Sequence, residues 1–227
     1  INISYDNKEL KGRNKILSHQ DPLKRYELLK NRYEQECAKL LKINKTVHNC
    51  TKCNDNVEKF QTEKTIHFGC NKNIIILGEA PANNGWRKSG KVWYDVNDNL
   101  LPSGKVMQKL LDEIGCNLLD ITFLEAVKCY PKNRKYLNNC KRNCVEILNQ
   151  QLEILCPKII LTLGDTATKA ILDVKYSKFS EVVGNVYEKE INGMIIKIIP
   201  IYHPSPISPM SYKGNIPIFK KIKELYD

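Results

Sequence analysis

No stretch of this 227-residue sequence approaches the roughly 20 consecutive apolar residues that a membrane-spanning helix requires. The longest apolar runs, NIIIL at 73–77 and MIIKIIPIY at 194–202, have the length of strands. The sequence also shows no secretory signal, no internal repeat and no low-complexity linker. These absences predict an intracellular protein, cytoplasmic or associated with the nucleoid, with no membrane partner.

Acidic residues are too few to balance the basic ones, with 25 Asp and Glu against 36 Lys and Arg, for a net charge of +11. Such a surplus indicates a polyanionic partner, with nucleic acid favoured over acidic lipid. The segment 128–142 is strongly basic, with six Lys or Arg and no acid. We predict that this segment binds phosphates, the alternative being a loop that is merely solvated.

The nine cysteines do not fit a disulfide framework, because their number is odd. The chain is also 42% hydrophobic and can bury a core without disulfide bonds. A reducing compartment with a metal or cluster site is therefore predicted.

Short apolar segments alternate with helical segments along most of the chain. An N-terminal helix is predicted at 21–42, with Asp21 as its cap. Strands are predicted at 73–77, 120–127, 158–164 and 194–202, and the later helices at 103–115, 143–156, 165–173 and 216–226. This alternation predicts an α/β fold with a mainly parallel sheet. The unusual loops GEAPANNG, KCYPKN, GDTA and HPSPIS follow the strands, at the edge where such sheets form their sites.

Two pairs of cysteines have the spacing of a metal-binding set. Cys50 and Cys53 form a C-x2-C chelate, while Cys129 and Cys144 flank residues 130–143, which include most of the basic segment. Cys144 is predicted to begin a helix, where the helix dipole favours a thiolate. Four thiolates suit tetrahedral zinc or a [4Fe–4S] cluster, and Cys140 is a rival fourth ligand. The other cysteines are predicted to be core residues: Cys37, Cys70, Cys116 and Cys156.

Four motifs in order resemble the uracil-DNA glycosylase superfamily, specifically its iron–sulfur branch, families 4 and 5. The sequence GEAPANNGWRKSGKVW at 78–93 resembles the first active-site motif, with a family-4-like opening and a family-5-like continuation. The other three are AVKCYPKNR, CVEILNQQLEILCPKIILTLGDTA and YHPS, at 126–134, 144–167 and 202–205. The resemblance covers most of the chain, from about Cys50 to Ser208.

The resemblance implies a three-layer α/β/α sandwich at 46–227, preceded by an N-terminal helical extension at 1–45. It implies a structural [4Fe–4S] cluster, rather than zinc, on Cys50, Cys53, Cys129 and Cys144. The implied activity is that of a monofunctional DNA glycosylase in base excision repair. Such an enzyme hydrolyses the N-glycosidic bond of a flipped uracil, or of a related deaminated or modified base, and leaves an abasic site. We expect a monomer that acts on DNA.

The motif YHPS at 202–205 provides a candidate hydrogen-bond donor for the departing base. His203, as a neutral imidazole, would donate to the base oxygen O2 as negative charge develops there. Ser205 would bind a DNA phosphate. Ile207 is either a wedge that fills the gap left by the flipped nucleotide or a simple packing residue.

The first motif provides the candidate groups for the water and the base. Glu79 resembles the family-4 residue that positions the attacking water or stabilises the cationic sugar; a capping carboxylate is the alternative. Asn83, with Asn84, is a reserve water holder, and Ala80 belongs to the base-binding set. Trp93 occupies the position of the aromatic residue that stacks on the base, with core packing as the alternative.

Glu125 departs from family 4, which has a uracil-reading asparagine at the matching position. An ionised Glu only accepts hydrogen bonds, whereas a protonated Glu donates one and accepts another. A protonated Glu125 would therefore suit uracil or cytosine, and we predict an altered base preference unless its side chain points away from the pocket. The alternative function is a non-catalytic iron–sulfur protein that binds nucleic acid.

Overall fold

The computed structural model describes residues 22–62, 64–69 and 71–226. The helices are α1 (Pro22–Asn49), α2 (Trp86–Ser89), α3 (Pro102–Asp112), α4 (Leu137–Leu155), α5 (Gly164–Ile171), α6 (Met210–Lys213) and α7 (Ile216–Tyr226). The strands are β1 (Val57–Glu58), β2 (Asn71–Gly78), β3 (Ile121–Glu125), β4 (Tyr130–Pro131), β5 (Ile159–Leu163), β6 (Tyr187–Ile191) and β7 (Met194–Ile201). None of the helices in these ranges is both long and apolar enough to cross a membrane.

Five strands form the central sheet, in the order β3–β2–β5–β7–β6. β2 pairs in parallel with β3 and β5, and β5 pairs in parallel with β7. β6 joins β7 as an antiparallel hairpin, whose turn residues Asn192 and Gly193 have φ angles of 52° and 73°. The four parallel strands thus end at the same edge of the sheet, where α/β folds bind their ligands.

Apolar side chains cover both faces of the sheet, which gives the molecule three layers. Ile74 and Ile76 pack into a core shared with α3 and α7, whereas Ile75 and Leu77 pack against α1, α4 and α5. Alternate residues of a strand point to opposite faces, so a continuous apolar run needs helices on both sides. The predicted α/β/α sandwich with a short, mainly parallel sheet is confirmed.

The N-terminal helix is longer than the sequence pattern indicated. α1 continues to Asn49, and its residues Ile43 and Val47 pack against Ile147 of α4. The predicted boundary between extension and domain at 45/46 lies inside this helix, and that division remains a prediction. Residues 1–20 and the predicted cap Asp21 lie outside the described residues.

α4 begins earlier than predicted and corrects the argument about Cys144. The helix starts at Leu137, so Cys144 lies two turns inside it and not at its N-terminus. The prediction that the helix dipole acts on this thiol was therefore wrong, because the dipole acts within the first turn. Leu137, Cys140 and Cys144 share one buried face, and this packing outweighs the low helix propensity of the neighbouring asparagines.

Candidate active site

A cavity of about 400 Å³ opens at the carboxyl edge of the sheet. Each of the four parallel strands contributes to its wall, with Glu79 after β2, Glu125 at the end of β3, Gly164 after β5 and His203 after β7. The chain thus brings the main predicted catalytic and base-binding groups into one pocket, at the place where open α/β sheets hold their ligands.

Glu79 is held in place by its main chain and by an arginine that the sequence did not single out. Its carbonyl oxygen accepts a hydrogen bond from the Val127 N–H at 2.9 Å. Arg134 donates to both carboxylate oxygens, from Nη1 to Oε1 at 2.9 Å and from Nη2 to Oε2 at 3.1 Å. Sequence reasoning placed Arg134 only within the basic segment, because its partner lies 55 positions away.

His203 follows a strand end that a buried asparagine fixes. The Tyr202 N–H donates to Asn215 Oδ1, and Asn215 Nδ2 donates back to the Tyr202 carbonyl oxygen, both at 2.9 Å. His203 as a whole is exposed, but it also lines the pocket. Desolvation there lowers the pKa of His203 from 6.5, and the nearby Glu79 opposes this shift. The imidazole is therefore neutral at pH 7 and can donate one N–H. Asn215 was not predicted, since a polar residue before an apolar helix indicates only a helix start.

Glu125 is one of the residues that line the pocket. The residue is only 7% exposed, and its buried Oε2 has no hydrogen-bond partner among the described residues. Burial raises the pKa of Glu125 well above 4.5; Lys128 opposes this effect and Glu79 adds to it. A Cβ atom on Gly78 would lie under 3.0 Å from Oε2, so glycine at this position leaves the space that the Glu125 carboxyl group occupies.

Aromatic side chains form the apolar wall of the pocket. Trp93 packs edge-to-face on Phe123, with ring centroids 4.9 Å apart, and Phe123 contacts Trp86 in the same way at 5.5 Å. All three aromatic residues are buried and line the cavity. Ala80 also lines the cavity and is half-buried. The two interpretations of Trp93 are thus compatible, because it belongs to the core and to the pocket wall at once.

Four predicted residues lie outside the pocket wall: Asn83, Asn84, Ser205 and Ile207. Asn83 accepts a 2.8 Å hydrogen bond at Oδ1 from Arg87, a buried cation that also pairs with Glu58 at 2.8 Å. Ser205 and Ile207 follow His203 on the proline-rich loop, where Ile207 is 92% exposed. Sequence reasoning did not single out Arg87, which links the first-motif loop to β1 through its contacts with Asn83 and Glu58.

Five thiols lie around a small second cavity beside β1 and α4: Cys50, Cys53, Cys129, Cys140 and Cys144. Burial, reinforced by neighbouring thiols, raises the pKa of Cys129 to about 12, and the same factors raise the pKa of Cys140 to about 12. Within the described ranges, no three His, Cys, Asp or Glu residues are arranged as a metal-binding group.

The surroundings of these thiols nevertheless fit a metal or cluster. The Lys128 N–H points at Cys144 Sγ at 3.4 Å, and Asn143 Nδ2 points at Cys53 Sγ at 3.3 Å. Such N–H···S contacts suit sulfur atoms that carry negative charge. The remaining cysteines were predicted to be core residues, which holds for Cys156 and for Cys116, which packs against the core of α3 and α7. Cys156 is buried, Cys37 and Cys116 are half-buried, and Cys70 lies outside the described residues.

Comparisons with known proteins agree with this geometry. A model of the uracil DNA glycosylase superfamily matches residues 66–224. The chain is 31% identical to the type-4 uracil-DNA glycosylase of Archaeoglobus fulgidus, over 81% of this chain and 91% of that protein. It is 31% identical to the type-4 enzyme of Sulfurisphaera tokodaii, over 82% and 84% of the two chains. It is also 26% identical to the type-5 enzyme of Pyrobaculum aerophilum, over 61% and 63%. The chain belongs to the uracil DNA glycosylase superfamily.

Proposed function

We propose that this protein releases uracil, or a closely related base, from DNA by hydrolysis of the N-glycosidic bond. The observation that carries this proposal is the joint presence of Glu79, Glu125 and His203 in one aromatic-walled pocket. Breaking this bond moves positive charge to the sugar and negative charge to the base. An anionic group on one side and a neutral donor on the other match that charge separation.

Each group has a distinct part in the proposed step. Water, hydrogen-bonded to Glu79, adds its oxygen to C1′ and passes a proton to the Glu79 carboxylate as the bond to the base nitrogen breaks. The bonding electrons leave with the base, whose O2 accepts a hydrogen bond from His203. No lysine lines this pocket in the part of the chain that the structure describes. That composition supports water as the nucleophile and hence a monofunctional glycosylase, since amine nucleophiles form Schiff bases.

The surface around the pocket supports a DNA partner. The basic segment 128–142 includes the exposed residues Lys132, Lys135 and Arg142, which suit a phosphate backbone. Ile207 projects from the loop that carries His203, and an exposed apolar tip there can enter a base stack. Ser205 on the same loop is a phosphate-binding candidate. Action as a monomer and a cytoplasmic or nucleoid location complete the proposal.

The proposal is tested on oligonucleotides that carry uracil, hypoxanthine, xanthine or a modified cytosine. We expect alkali-labile abasic sites on the uracil strand, formed without strand cleavage before the alkali treatment. An undamaged duplex of the same sequence is the control. Absence of abasic sites over the whole panel would instead support a nucleic-acid-binding protein without catalysis.

The same panel tests Glu125 as the reader of the base. A neutral carboxyl can place its proton on either oxygen, so it matches the edges of uracil and of cytosine, whereas an amide has a fixed donor. We expect Glu125→Gln to change the ratio of rates on uracil and modified cytosine by about tenfold, the discrimination typical of one paired contact. Wild-type rates on every base would contradict this role.

We further propose that Cys50, Cys53, Cys129 and Cys144 hold a [4Fe–4S] cluster, which would cross-link α1, the basic segment and α4. We expect about four irons per chain and broad visible absorbance in anaerobic preparations. Cys144→Ser should lose the iron and the visible absorbance. Cys140→Ser, one helical turn away, should keep the iron and the absorbance. Colourless protein with one bound zinc, or loss of iron only in Cys140→Ser, would contradict the assignment.

A further inference from the structure

The ion pair between Arg134 and Glu79 joins two segments that the sequence keeps far apart. Arg134 lines the pocket, and its guanidinium spans both oxygens of the Glu79 carboxylate. We propose that Arg134 is a positioning residue, which holds the plane of the Glu79 carboxylate so that it faces the attacking water. This inference rests on the proposed role of Glu79.

The two-pronged contact fixes orientation as well as position. A carboxylate has about four acceptor sites, and the guanidinium fork uses one on each oxygen. The remaining sites stay available to a water molecule in the pocket. A single-point cation would leave the carboxylate free to rotate, so lysine cannot reproduce this effect.

The main chain around Arg134 is itself anchored. Asn133 Oδ1 accepts a 2.9 Å hydrogen bond from the Lys135 N–H, which fixes the turn that begins at Arg134. The Lys132 N–H donates to the Asn56 carbonyl oxygen at 3.0 Å, and β4 pairs with β1 just before it. Arg134 is thus carried on a segment that is attached beside the cysteine site, which gives its guanidinium a defined place.

The competing interpretation is that Arg134 contacts a DNA phosphate, because its side chain is 78% exposed within the basic segment. Two observations favour positioning. Both terminal nitrogens are already engaged by Glu79, and the Glu79 side chain is only 27% exposed. Exposed ion pairs contribute little to folding, so Arg134 variants should fold normally and can be compared with the wild type.

The test separates catalysis from DNA binding. Arg134→Gln, Arg134→Lys and the matched control Lys132→Gln are measured for the single-turnover rate at saturating enzyme, for DNA affinity and for its salt dependence. We expect Arg134→Gln to slow the saturated rate about 10- to 100-fold, as misplaced catalytic groups do, with DNA affinity within about threefold of the wild type. Arg134→Lys should recover only part of this loss. Lys132→Gln should weaken DNA binding and make its salt dependence shallower, as loss of one phosphate contact does.

A double variant shows whether Arg134 acts through Glu79. In the Glu79→Gln background, Arg134→Gln should cause no further loss of rate. Multiplied losses, or a weakened affinity with an unchanged saturated rate, would overturn the inference while leaving the proposed function intact. A wild-type rate for Glu79→Gln would overturn both the proposed role of Glu79 and the inference that depends on it.

Discussion

Replacement of Glu79 by glutamine is expected to lower the single-turnover rate of uracil release by roughly 10²- to 10⁴-fold, the range for loss of a general base. Glutamine preserves the size of the side chain but removes its negative charge. It can therefore neither take up the proton of the attacking water nor balance the positive charge on the sugar. The contact with Arg134 also weakens, because a neutral amide offers only one acceptor oxygen to the guanidinium fork.

The measurement is a single-turnover assay on uracil-containing DNA, with protein in excess over DNA. Glu188→Gln is a suitable control, since Glu188 is an exposed residue of β6, the edge strand opposite β3. This control should retain the wild-type rate, and DNA affinity should change little in either variant. An unchanged rate in Glu79→Gln would mean that this carboxylate does not take part in the reaction.

Replacement of His203 by alanine is expected to slow base release about 10²- to 10³-fold, as does loss of one donor to a developing anion. The imidazole donates to the base as the bond breaks, so the loss should appear in the saturated rate more than in DNA affinity. His203→Gln keeps an N–H donor and should be less impaired than the alanine variant. Equal losses in the two variants would contradict the donor role.

The pH dependence follows from the neutral state of His203. Desolvation lowers the pKa of His203 from its usual value, so the ring loses its proton at a lower pH than a free histidine and stays neutral as the pH rises. The titration of His203 should therefore cause no fall in rate as the pH increases from about 6.5 to 8. A fall that persists in His203→Ala would report loss of the Glu125 proton, since burial raises that pKa well above 4.5. If the charged imidazolium were required instead, the rate would fall over that interval in the wild type and not in His203→Ala.

The fold class and the location of the candidate site could be predicted from the amino-acid sequence. Short apolar runs of strand length, each followed by a helical segment, allow few arrangements other than a mainly parallel sheet covered on both faces. In that arrangement, the loops that hold Glu79, Glu125 and His203 must meet at one edge. Local information was sufficient here because strand direction places every loop on the same side of the sheet.

The contacts between these loops could not be predicted from the sequence, because they depend on how the folded chain packs. Arg134 forms an ion pair with Glu79, and Asn215 forms hydrogen bonds with the main chain of Tyr202. No local sequence pattern links the members of either pair. The start of α4 at Leu137 was missed because the burial of Leu137 and Cys140 outweighs local helix propensity. The direction of Glu125 likewise depends on the space above Gly78. Side-chain partners and burial belong to the packed molecule, and they set the charge state and orientation of the groups that the sequence can only name.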